Sequence, residues 1–142
     1  MRLVFDTATM VAAIRSGAGA SRLLLVAALE RRVTMLASVP LMVEYQAVMT
    51  RPRHLAAAGL SAEEVGGLLD AVAAVAEPVR LAFLWRPAAR DPDDDMVLEA
   101  AVNGRAEAIV TLNLRDLGKA AHQFGIEVLS PGDAWKRLEA RI

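Results

Sequence analysis

The sequence predicts an α/β domain built on a mainly parallel sheet. Short apolar runs alternate with helical patterns along the whole chain, as parallel strands joined by helical crossovers require. The runs RLVFD, VTMLAS and EAIVTLN are each a few residues long and bounded by polar or turn-forming residues, like buried strands. At 142 residues the chain suggests one domain, residues 1–142, able to bury roughly two-thirds of its unfolded surface.

The elements follow in order. Residues 2–6 (RLVFD) read as the first strand, ending on Asp6. A helical turn or two follows over 7–16, and GAG at 17–19 breaks it. Residues 20–32 read as a helix whose Arg31 and Arg32 suit a C-terminus. Residues 33–38 form a second strand. Pro40 fits the start of the helix LMVEYQAVMT, because its missing N–H costs little there, and Pro52 stops that helix. A short helix over 51–59 ends at Gly59. Ser61 and Glu64 have the spacing of a capping box, opening a helix through VGGLLDAVAAVAE. The middle third is thus nearly all helix and reads as an insertion beside the sheet.

Residues 79–85 (VRLAFLW) are a third strand candidate, followed by the polar loop RPAARDPDDD. A helix over 95–104 stops at Gly104 as its C′ residue. Residues 107–113 form a strand ending on Asn113, then LGKAAHQFG a short helix. IEVLS (126–130) is the last strand, and a helix from Pro131 closes the chain.

Charge and composition remove several classes. Net charge is −1, so a broad polyanion-binding face is not expected. With two Trp, one Tyr and three Phe, the chain has few platforms for base stacking. Its apolar runs are too short to span a bilayer, and the N-terminus has no leader pattern. There is no cysteine, so disulfides and thiolate sites are excluded and a cytoplasmic setting fits. His54 and His122 share no ligand spacing and are expected at the surface.

The acids carry the chemistry. In a parallel sheet, ligands bind beyond the C-terminal ends of the strands, where Asp6 and Asn113 both fall. Asp6 has a structural alternative as an N-cap. Glu44 lies in a mostly apolar helix, facing either inward or solvent. In DPDDD, Asp91, Asp93, Asp94 and Asp95 exceed what one helix N-terminus needs, and Glu99 shares a helix face with Asp95. An EF-hand is excluded, because the loop lacks the glycine and bidentate glutamate. Asn113 is either an oxygen ligand or the cap of the next helix, with Asp116 three residues on. An oxygen-only set without paired His or Cys suits Mg²⁺ or Mn²⁺, and such a site suits phosphodiester hydrolysis.

Four blocks, FDTATMVAA, PLMVEYQAVMTRP, RPAARDPDDDMVLEAAVNGRAEAIVT and LNLRDL, occur in this order over nearly the whole chain. Together they resemble PIN-domain proteins of the VapC-like toxin class. The resemblance implies a three-layer α/β/α sandwich with a mainly parallel sheet and a Mg²⁺- or Mn²⁺-dependent ribonuclease. It also implies an RNA substrate, a cognate antitoxin that silences the toxin and, in many members, a homodimer. By position it makes Asp6, Glu44 and Asp95 the first three acids. Asn113 falls at the fourth, with Asp116 able to compensate. Asp91 and Asp94 support them, Thr7 and Thr111 orient ligands, and Arg51, Arg86, Arg90 and Arg115 meet RNA, unless those arginines are spent on surface ion pairs. Two departures stand out: Ala8 replaces the usual Asn of the first motif, and Asn113 lowers the site's charge. Asn113 leads to an expectation of one firmly held metal, with a second recruited by substrate phosphate, and the two departures together favour an alternative reading as a domain that binds RNA or a protein without cutting.

Overall fold

A computed structural model of the chain describes residues 1–82 and 92–141. Its centre is a five-stranded sheet in which every pairing is parallel. The strands are β1 (Arg2–Phe5), β2 (Thr34–Ala37), β3 (Glu77–Pro78), β4 (Ala108–Val110) and β5 (Glu127–Leu129), in the order β3-β2-β1-β4-β5. Leu3, Val4 and Phe5 are fully buried, as expected of a central parallel strand covered on both faces. Each such side chain contributes roughly 1.5–3 kcal/mol by leaving water.

The helices follow from this order. β1 leads through α1 (Thr7–Arg15) and α2 (Ala20–Leu29) to β2. β2 leads through α3 (Val39–Met49), α4 (Pro52–Ala58) and α5 (Ala62–Val75) to β3. The chain then crosses back through α6 (Pro92–Asn103) to β4. From β4 it passes through α7 (Leu114–His122) to β5 and the final α8 (Pro131–Ala140). Right-handed crossovers running in opposite directions from β1 place their helices on opposite faces. The result is the expected three-layer α/β/α sandwich. The helical middle third is the β2-to-β3 crossover itself rather than an insertion. No single helix among the described residues is long and apolar enough to cross a membrane.

Several boundaries differ from expectation. α2 stops at Leu29, because Arg31 takes a left-handed conformation (φ 61°). The Arg32 N–H then reaches back to the Ala27 carbonyl, closing a Schellman end with an arginine where glycine is usual. α6 ends in the same way. Arg105, not Gly104, is the left-handed residue (φ 54°), and the Ala106 N–H bonds the Ala101 carbonyl. Gly104 is required for space instead. A Cβ there would lie 2.8 Å from the Ala100 oxygen and 2.8 Å from Val79 Cγ2. Gly59 does take the expected left-handed stop (φ 69°), and the Ser61–Glu64 capping box forms.

The third strand starts earlier than the apolar run over 79–85 suggests. It is the pair Glu77–Pro78 at the sheet edge, where proline's missing donor is tolerated. One further ladder bond runs from the Val79 N–H to the Ala37 carbonyl. Residues 83–85 of that expected strand lie outside the described residues. β4 ends at Val110, short of Asn113, and α7 begins at Leu114, three residues before the expected helix.

Opposite the C-terminal edge, charge pairs fasten the sheet. Arg2 donates two bonds to Glu77 and a third to the Gly104 carbonyl. Arg137 and Arg141 bind Glu107, and Arg137 also binds Glu127.

Candidate active site

Strand order reverses its direction of travel at β1. β2 lies on one side of it and β4 on the other, so the C-terminal ends of β1 and β4 form the topological switch point where α/β sheets bind ligands. Asp6 follows β1 there and is buried, 5% exposed. It takes the capping role that the sequence allowed. As N-cap of α1, its Oδ1 accepts from the Thr9 N–H at 2.8 Å. Its Oδ2 accepts from Thr111 Oγ1 at 2.5 Å. A carboxylate has about four acceptor positions, so these bonds fix the group while leaving capacity for a ligand.

Thr9 adds a second tie, its hydroxyl donating to the Val110 carbonyl at 3.1 Å. Orientation of Asp6 therefore comes from Thr9 and Thr111. Thr7, expected to orient it, makes no hydrogen bond to Asp6 among the described residues, although it lines the same cleft. The Thr9 role was missed, though its position three residues after a helix-capping Asp signals it.

Glu44 reaches the site because α3 is anchored one residue on. Tyr45 is fully buried, and its hydroxyl donates to the Phe5 carbonyl at the end of β1. Burial, and then the Asp6 charge, push the Tyr45 phenol well above its ordinary value, so it stays a neutral donor. With Leu41, Tyr45 and Met49 facing the core, Glu44 and Val48 turn together into the cleft, as residues four apart do.

The cleft has a volume of about 400 Å³. Asp6, Thr7, Ala8, Glu44, Asp94 and Asn113 line it, together with Arg51, Arg53 and His54. α6 contributes Asp94 and Val97, three residues apart on one helix face. Asp95, the residue the resemblance selects, lies one position on and is buried at 3% exposure, as is Glu99 at 1%. Asn113 occupies the N-cap position of α7, but its side chain makes no cap bond. Its backbone N–H donates to Thr111 Oγ1 at 2.9 Å, and its amide nitrogen stands 3.5 Å from Asp116 Oδ2. Asp116 and Arg115 are exposed on the first turn of α7. Arg86, Arg90 and Asp91 lie outside the described residues.

The histidines divide. His122 is exposed, as expected. His54 is not: it is 7% exposed and lines the cleft. The stretch RPRHLAAAG gave no sign that α4 would fold back over α1.

Beside the nitrogens of Arg51, Arg53 and His54, the residues lining the cleft include the carboxylates Asp6, Glu44 and Asp94 and the amide Asn113, whose oxygens are of the kind a hard divalent ion takes. Among the described residues, no group of three or more acids or histidines stands close enough to hold an ion as the side chains lie. Asp6, Glu44 and Asp94 border one cleft without closing into a ligand set.

The fold and the placement of this cleft match a known class. Residues 2–115 match the family model of the PIN domain, most of the chain. The protein belongs to the PIN-domain family, a nuclease-type, nucleic-acid-related fold whose members generally use divalent metals. A comparison with curated proteins found no match.

Proposed function

We propose that this PIN-domain protein is a Mg²⁺- or Mn²⁺-dependent endoribonuclease acting as the toxin of a toxin–antitoxin pair in the cytoplasm. The observation that carries the catalytic part is the meeting of Asp6, Glu44, Asp94 and Asn113 around one cleft at the sheet's switch point. Asp6 and Glu44 would hold the metal with an acid from α6, where Asp94 faces the cleft and Asp95 lies beside it. Asn113 offers an amide oxygen, and Asp116 a second carboxylate nearby. When bound, the ion supplies charge neutralisation at the phosphate and a more acidic water. The chain's own part is to hold Asp6 rigid through Thr9 and Thr111 and to bring RNA phosphate to the cleft with arginines such as Arg51.

A protein partner is supported separately. Val39 and Val43 on α3 are 77% and 63% exposed. They border a groove of about 370 Å³ between α3 and α5. An apolar surface of this kind suits an antitoxin or a second copy of the chain.

The alternative reading is a PIN domain that binds RNA or a protein without cutting it. Ala8, Asn113 and the dispersed acids favour it. Incubating the chain with labelled RNA and DNA panels in Mg²⁺, Mn²⁺ or EDTA separates the two. The nuclease reading expects metal-dependent RNA fragments that Asp6→Asn abolishes; intact RNA under every condition refutes it. Growth arrest on expression, relieved by a protein encoded beside it, tests the toxin role.

A further inference from the structure

The acidic cleft has a basic wall. Arg51 is the N-cap residue of α4, and Arg53 and His54 lie in its first turn; all three line the cleft. Arg15, at the end of α1, places Nη1 3.3 Å from His54 Nδ1. A guanidinium has no acceptor, so Nδ1 takes this bond and the neutral ring carries its hydrogen on Nε2. Burial, then Arg53, Arg15 and Arg51, hold the His54 pKa below its ordinary value. Three guanidiniums thus crowd one imidazole.

What sets these cations apart is that Arg51, Arg53 and His54 line one cleft together, with Arg15 against the His54 ring. Arg2, Arg32, Arg137 and Arg141 all form ion pairs with glutamates. Among the described residues, no carboxylate stands within ion-pair distance of Arg15, Arg51 or Arg53. Crowded like charges cost energy unless an opposite charge sits among them, and the guanidinium fork matches phosphate oxygens. A polyanion approaching three acids also needs a compensating positive surface, and this one is part of the same cleft.

We propose that Arg51, Arg53 and His54 hold a backbone phosphate of a single-stranded nucleic acid next to the phosphodiester that the acids address. Arg15 donates to His54 Nδ1, which leaves Nε2–H as the donor of the neutral ring. The proposal rests on the nuclease reading of the cleft and extends it to the substrate's neighbouring phosphate.

The test uses the full chain in EDTA and a 5′-labelled single-stranded RNA 12-mer, with anisotropy read over a KCl series. Each phosphate contact adds about 0.7 to the slope of log K against log salt for a single strand. Arg51→Ala and Arg53→Ala are each expected to weaken binding and reduce the slope by about 0.7. Lys136→Ala, on exposed surface of α8, should leave the slope unchanged. Both arginines are exposed, so their variants keep the parent's melting temperature. The same losses are expected with a single-stranded DNA 12-mer, because phosphate contacts do not read the sugar. Unchanged slopes in both arginine variants, or a parent that binds no RNA, overturn the proposal. Reduced slopes from a parent that cleaves nothing in Mg²⁺ or Mn²⁺ uphold the phosphate wall and refute the nuclease reading instead.

Discussion

Thr111 Oγ1 donates a 2.5 Å hydrogen bond to Asp6 Oδ2, joining residues 105 positions apart at the ends of adjacent strands. The same hydroxyl oxygen accepts the Asn113 N–H. One buried threonine therefore sets both the direction of Asp6 and the start of the loop that carries Asn113. Its effect on the site is long-range, through the register that pairs Phe5 with Val110.

Asp6→Asn is expected to abolish metal-dependent cleavage while the protein stays folded. Asn caps a helix about as well as Asp, so α1 keeps its first turn, while the charge and the acceptor that faces Thr111 are lost. Thr111→Val keeps the charge but releases the carboxylate, and should weaken metal affinity by about 10- to 100-fold. Isothermal titration with Mn²⁺, beside a cleavage assay, reads both. Full activity in Asp6→Asn would remove it from the site.

Asp94 and Asp95 should separate by what each substitution damages. Asp94→Asn is expected to lose cleavage, because Asp94 borders the cleft. Asp95 is 3% exposed, so Asp95→Asn disturbs a buried polar environment and should cost about 1–3 kcal/mol of stability. Urea denaturation and initial rates on the two variants decide. The reverse ranking assigns the third acid to Asp95.

Arg105→Gly should stabilise the protein by about 0.5–1 kcal/mol, since a left-handed conformation costs an L side chain and not glycine. The reason is the 54° φ at the end of α6. Gly104→Ala, one residue earlier, should be strongly destabilising, because its Cβ would meet the Ala100 oxygen. Thermal melts of the two variants should therefore move in opposite directions.

The carboxylates at the opposite edge predict an acid-side loss of stability. Arg141, and then Arg137, hold the Glu107 carboxyl below its usual value near 4.5, and Arg137 does the same for Glu127. A lowered folded-state pKa contributes stability that is complete above the unfolded value and disappears as pH falls through the folded one. Glu107 is 29% exposed, so with solvent screening the pair is worth about 0.5–1 kcal/mol. Glu107→Gln should lower the urea midpoint at neutral pH, and the gap from the parent should close as pH falls well below 4.5. A gap that persists in acid would mean the cost is packing and not charge.

Legibility followed the range of the interactions. The capping box at Ser61 and the stop at Gly59 depend on neighbours within a few residues, and both were readable. The α/β class was readable from the alternation of apolar runs, because burial on both faces forces it. The strand ends were not. Whether 79–85 or Glu77–Pro78 pairs with β2 depends on what lies across the edge, and Arg31 and Arg105 take left-handed turns no composition signals.

At the site, the sequence offered the acids as candidates, each with a structural alternative such as the helix cap that Asp6 forms. Tertiary structure decided which faces they show. It turned Glu44 into the cleft by burying Tyr45 and brought Asp94 to the rim beside Asp6. It also folded α4 over α1, making His54 a buried neighbour of three arginines. Sequence determined the inventory of charges and the alternation of strands and helices, because both are local. Only the packed chain decided which charges share a cleft, because strand register and helix rotation are set by contacts far apart along it.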